Sequence, residues 1–73
     1  MIDTSIMPRR LLKRHAVLDR VSMSTAKLYQ LMNQGKFPRP VRLAGAGVAW
    51  LESDVDGWIA DRVAERDAER RAA

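Results

Sequence analysis

Apolar positions along the chain follow two periods, and together they predict helix, turn, helix, hairpin, helix. Leu28, Leu31 and Met32 recur at i, i+3, i+4, the single stripe of an amphipathic helix over Thr25 to Gln34. Ser24 stands before it as the N-cap, its hydroxyl placed to accept a backbone N–H that the first turn leaves unpaired. Gly35 supplies the positive φ that commonly ends a helix. Upstream, Val17, Leu18 and Val21 give a short helix over Lys13 to Arg20, with Lys13, Arg14 and Arg20 in water. Val21 to Met23 is the turn, and Met23 is placed to pack against the next helix as a hydrophobic staple does.

The period then changes. Phe37-Pro38-Arg39-Pro40 stops the helix, because each proline pushes its predecessor to extended geometry. Val41-Arg42-Leu43 and Val48-Ala49-Trp50 alternate on either side of Ala44-Gly45-Ala46-Gly47, the pattern of a β-hairpin. Its expected inner face is Val41, Leu43, Val48 and Trp50, with Arg42 outward. Val55, Trp58, Ile59 and Val63 resume helical spacing after Ser53, read as the cap of a last helix in a capping-box-like Ser53-x-x-Asp56. The expected core is Val17, Leu28, Leu31, Met32, Val48, Trp50, Val55, Trp58 and Ile59.

These elements divide the chain into an N-terminal arm, 1–8, carrying Ile2 and Ile6; a domain, 9–63, entered by an extended stretch with Leu11 or Leu12 turned inward; and a charged helical tail, 64–73, with an i, i+4 Asp67–Arg71 pair. The fold class is mostly α with a small β-hairpin, a winged helix-turn-helix. Seventy-three residues allow one small core, worth about 3–5 kcal/mol of net stability.

Charge adds direction to this plan. Residues 1–50 hold nine Lys/Arg against two acids, net +7, and residues 51–73 hold four Arg against seven acids, net −3. A basic body with an acid-rich last helix is the pattern of a nucleic-acid binder with a separate scaffold element. The outer face of the second helix, with Ala26, Lys27, Tyr29, Gln30 and Asn33, has a cation, a phenol, two amides and no acid. Such a face suits the major groove, where amides and cations read base edges. Thr25 is placed for a phosphate near the helix N-terminus, Tyr29 for a phosphate hydrogen bond or for packing on the wing, and Lys36, Arg39 and Arg42 for phosphates. Arg9, Arg10, Lys13 and Arg14 offer a second phosphate-facing patch, equally well explained by solvation. Trp50 and Trp58 read as core, and His15 as a surface residue.

Other chemistries find little support. There is no cysteine and one histidine, so neither a disulfide nor a metal site is expected, and no cofactor is implied. No nucleophile–base pair or glycine-rich phosphate loop is present, so the chain is not read as an enzyme. No apolar run reaches the roughly 18 residues of a membrane span, and MIDTSIMPRR is not a signal peptide. The expected location is the cytoplasm, on the nucleoid.

Four runs carry a family resemblance: Arg10-Leu11-Leu12; Ser24-x-x-x-Leu28-Tyr29; Gly35 to Leu43, GKFPRPVRL; and Val48 to Ile59, VAWLESDVDGWI. Together, over residues 10 to about 62, they resemble the AlpA family of prophage regulators, whose MerR-like winged helix is shared with excisionase-type proteins. The resemblance implies DNA binding by the second helix and wing, and a role near integration, excision or prophage gene control. Three positions depart from the family pattern. Ser22 stands where the turn normally has glycine, predicting a differently tightened turn. Ala46 replaces a basic wing-tip residue, predicting a weaker wing grip. Gln30 replaces an arginine, favouring adenine over guanine if it reaches a base.

The function expected is therefore sequence-specific binding of double-stranded DNA by a protein of a prophage or integrative element, regulating its integration and excision genes. A competing job in the same class is that of an excisionase, or recombination directionality factor, bending an attachment site for integrase. A third reading is a protein-interaction module. Expected partners are further copies of the chain on DNA, as a dimer or head-to-tail array, and integrase or RNA polymerase.

Overall fold

The computed structural model describes residues 9–72. The arm expected at 1–8 lies outside the described residues. The elements are β1 (Leu11–Leu12), α1 (Arg14–Val21), α2 (Thr25–Asn33), β2 (Val41–Arg42), β3 (Val48–Leu51) and α3 (Glu52–Ala72). Three helices and a small antiparallel sheet of order β1-β3-β2 make the mostly helical plan compatible with a winged helix-turn-helix. The sheet gains a strand that periodicity gave only as an extended stretch. Leu11 pairs with Leu51 and Leu12 with Trp50, so the start of the domain is zipped to its last strand.

The core lies where α1, α2 and α3 meet the face of β3. Trp50, Leu28, Val17 and Val55 are fully buried, with Leu12, Met32 and Phe37 nearly so. Burying one such side chain contributes about 1.5–3 kcal/mol. Leu31, Trp58 and Ile59, expected in the core, are half-buried and pack against it. Leu12 is the inward leucine of β1, while Phe37 and Ala49 are buried positions that the helical and strand periods did not assign.

The wing corrects the expected inner face. Val41 pairs with Ala49 and Arg42 with Val48. Residues directly opposite in an antiparallel pair share a face, so Arg42 lies with Val48 and Trp50, and Val41 with Ala49. Ala49 is buried, while Val48 is 37 % exposed and is not core. The cause is loop length. Ala44 (φ 47) and Gly45 (φ 91) form a turn with positive φ at both central residues, closed by the Ala46 N–H donating to Leu43 O at 2.9 Å, as in the twist-compatible I′ hairpin turns. Gly47, at φ 92, then inserts one further residue before β3. One added residue reverses which side chains share a face.

Two further expectations change. Ser22 adopts the left-handed conformation itself, φ 56, and its N–H reaches Leu18 O at 2.8 Å. The turn is therefore closed in the glycine-like way at some steric cost. Ser53 is not the cap of α3. The helix starts at Glu52 directly after β3, and the Glu52 N–H is taken by Arg10 O at 2.8 Å. With no loop between strand and helix, Ser53 falls inside the first turn, and the Asp56 carboxylate is engaged by Arg20. The tail continues as helix to Ala72, with exposed ion pairs Arg62–Glu65 and Arg66–Asp67 along it in place of Asp67–Arg71.

Candidate nucleic-acid interface

The α2 helix is fixed at both ends and along one face. Ser24 Oγ accepts the Lys27 N–H at 3.1 Å. At the other end the Lys36 N–H donates to Leu31 O at 2.8 Å and the Gly35 N–H to Met32 O at 3.0 Å, with Gly35 at φ 72. This is the paired closure of a Schellman motif, which needs a residue tolerant of positive φ at Gly35. Leu28 and Met32 face the core, leaving Thr25, Lys27, Tyr29, Gln30 and Asn33 exposed. A helix so anchored presents its polar face at low entropic cost to whatever binds it.

The basic segment after α2 is held by both tryptophans. Trp58 Nε1 donates to Lys36 O at 2.8 Å and Trp50 Nε1 to Pro38 O at 3.1 Å. Between them Phe37 is buried, its ring centroid 5.1 Å from that of Trp58. The Arg62 guanidinium lies 4.9 Å above the Trp58 ring. Trp50 is thus fully buried and Trp58 half-buried at the core's edge, and both N–H groups hold the backbone from which Lys36 and Arg39 are exposed to solvent.

Lys36 and Arg42 have different surroundings. Lys36 lines a crevice with Leu31, Trp58, Arg62 and Glu65, between α2 and α3. Arg42 is on the wing, on the face of Val48. Val48 in turn lines an open cleft of about 440 Å³ with Lys13, Arg14, His15, Tyr29, Ala46 and Gly47. The cleft brings Tyr29, the wing and the start of α1 together, and Lys13 Nζ donates to Ala46 O at 3.4 Å across it. Part of the second basic group, Lys13 and Arg14, therefore joins the α2 surface. Tyr29 is 38 % exposed and lines this cleft together with the wing residues Ala46, Gly47 and Val48.

The acids are spent elsewhere. Arg20 bridges Glu52 at 3.0 Å and Asp56 at 2.9 Å, tying α1 to α3. Hydrogen bonds to Glu52 first, then Asp56, hold the Arg20 guanidinium above its ordinary pKa. The other ion pairs among the described residues lie within α3. Lys13, Arg14, Lys27, Lys36, Arg39 and Arg42 have no carboxylate within ion-pair distance among the described residues. Sequence reasoning read Asp56 only as part of the Ser53 capping-box-like pattern and Glu52 only as an acid suited to a helix start. Their i, i+4 spacing, which places both on one helix face, was the available sign of a shared cation.

Comparison with known proteins agrees with this geometry. The family model described as "Prophage CP4-57 regulatory protein (AlpA)" matches residues 10–63. The chain is similar to "Uncharacterized protein ORF88" of Enterobacteria phage P4, 39 % identical over 61 residues, covering 84 % of this chain and 69 % of that protein. It is also similar to "DNA-binding transcriptional activator AlpA" of Escherichia coli, 29 % identical over 59 residues, covering 73 % of this chain and 84 % of that protein. No solved structure gives a significant match. With the family model spanning everything from β1 through the half of α3 that packs on the core, the chain belongs to the AlpA family of prophage regulatory proteins.

Proposed function

We propose that this chain is a DNA-binding transcription regulator of a prophage or related integrative element, acting in the cytoplasm on the nucleoid. The observation that carries this is the separation of charge: the exposed, acid-free face of α2 is flanked by cations without carboxylate partners among the described residues, while the paired acids sit on α3. In this reading α2 enters the major groove. Lys27, Gln30 and Asn33 face base edges, Thr25 and Tyr29 hold phosphates, and Lys36, Arg39 and Arg42 grip the backbone on either side. The E. coli relative, named as a DNA-binding transcriptional activator, supports the same class. The activity is binding rather than catalysis, and needs no cofactor or metal.

A nine-residue helix spans few base pairs, and small modules bury too little surface to specify a long site. Several copies on repeated sites follow, as a dimer or a head-to-tail array. That arrangement also suits an excisionase, which would bend an attachment site and engage integrase, whereas a regulator would contact RNA polymerase at a promoter. Footprinting on the DNA flanking the protein's own gene separates the two. Protection confined to a promoter supports the regulator. Phased protection at an attachment site, about one duplex turn apart and accompanied by bending, supports the excisionase. Absence of protection together with salt-insensitive association overturns the DNA reading.

A further inference from the structure

We propose that the cleft between the start of α1 and the wing is a seat for a backbone phosphate of duplex DNA, and that Lys13 is its central cation. The inference rests on the DNA-binding reading and adds to it a site on a different helix. The wing tip, Leu43-Ala44-Gly45-Ala46-Gly47, has no ionisable side chain of its own. A tip of that composition offers a polyanion only peptide groups. Lys13, 33 residues away in sequence, places its ammonium 3.4 Å from Ala46 O, at the wing tip. That contact engages one of three ammonium donors. Lys13 lines the same cleft as Arg14, His15, Tyr29, Gly47 and Val48, and its remaining two donors are available to an anion there.

The surroundings favour an anion from a long polymer over a small enclosed ligand. All seven lining residues are exposed, so the cleft is a trough that a sugar–phosphate strand can cross. None of them is acidic, and Arg42 stands across the hairpin from Val48, adding a cation at the far wall. Tyr29 belongs to α2, so a strand lying against the polar face of that helix passes the cleft on its way to the wing. The 3.4 Å contact is long and exposed. An exposed contact of that length contributes little to the fold, so Lys13 is separable from folding.

The test uses a random-sequence duplex, because a phosphate seat is sequence-independent, and measures affinity across a salt series. Lys13→Met keeps the length of the side chain and removes the charge. It is expected to weaken binding roughly five- to tenfold at about 0.1 M salt and to reduce the slope of log affinity against log salt by about 0.9, one phosphate's share. Thermal unfolding should be unchanged. Ala46→Lys, which puts a cation on the wing itself, is expected to restore affinity and slope in the Lys13→Met background and to add little to the wild type. Wild-type-like affinity and slope for Lys13→Met would overturn the proposal while leaving the DNA reading intact. Equal gains from Ala46→Lys in both backgrounds would overturn it too, since they would mean independent positions. A wild-type chain that fails to bind any duplex at low salt would remove the DNA reading and the seat with it.

Discussion

Trp58 and Lys36 are joined by a 2.8 Å hydrogen bond from the indole N–H to the lysine carbonyl, and through it α3 governs the segment that follows α2. The bond lies at an exposed position, so water replaces it when it is removed. Trp58→Phe should therefore cost only about 0.5–1.5 kcal/mol in chemical denaturation, while an aromatic contact with Phe37 is retained. Its sharper signature is faster amide exchange across Phe37 to Arg42, with several-fold weaker DNA binding.

Leu28→Ala and Val17→Ala test the core, since both side chains are fully buried. Leu28→Ala should cost about 2–5 kcal/mol, comparable to the whole stability of so small a domain. Circular dichroism at room temperature should show a largely unfolded chain. A cooperative melt near the wild-type temperature would contradict the placement of Leu28.

Ser22→Gly should stabilise the protein by about 0.5–1 kcal/mol, because the left-handed backbone at φ 56 strains serine and not glycine. Ala44→Gly, at φ 47, should act in the same direction on the wing. Urea midpoints read both changes.

Arg20→Met should lower the melting temperature by loosening α1 from α3, and the difference should shrink in high salt as the pairs with Glu52 and Asp56 are screened. Arg20→Lys should restore it incompletely, as one ammonium cannot match the planar fork. The sign of the pH effect follows from the raised pKa of Arg20. A raised folded-state value gives stability that is fully present below the unfolded value and is lost as pH climbs through the folded one. For this group that window lies in strong alkali, so the Arg20 ionisation should leave stability flat through neutral pH.

Charge reversal at Lys36, Arg39 and Arg42 should abolish binding to all duplex sequences, whereas Gln30→Ala should cost affinity only on the preferred site. With about five phosphates neutralised, the wild-type slope of log affinity against log salt should be near −4.5. Unchanged DNA affinity in the reversal variant, with loss of a protein contact instead, would support the protein-interaction reading.

The helices were legible because their signals are local. Ser24 caps α2 through a bond spanning three residues, and the stripe around Leu28 falls on the core face. The wing strands were found too, but not which side chains face inward, because Gly47 adds one residue and the alternation pattern cannot show which loop residue is extra. Ser53 misled because its cap-like pattern takes no account of β3 running into α3 without a loop. The roles of Trp58 and Arg20 escaped for another reason. Each contacts a residue more than twenty positions away, and no local period records such a partner. Lys13 at the wing, 33 positions from Ala46, is another such contact, and it regroups residues that composition alone left open between phosphate contact and solvation.

The pairing of Leu11 and Leu12 with Leu51 and Trp50 has a consequence for when the protein becomes competent. Everything from α1 to the wing is a loop sealed by that zipper, and its buried closing piece, Trp50, emerges late in synthesis. A nascent chain that ends before Leu51 holds α2 in sequence but has nothing to pin it, and helices that short are marginal alone in water. Competence should therefore arrive only once β3 and the core-packing first half of α3, with buried Val55 and the Trp58 bond to Lys36, have left the ribosome, and a protease cut between α1 and β3 should abolish it.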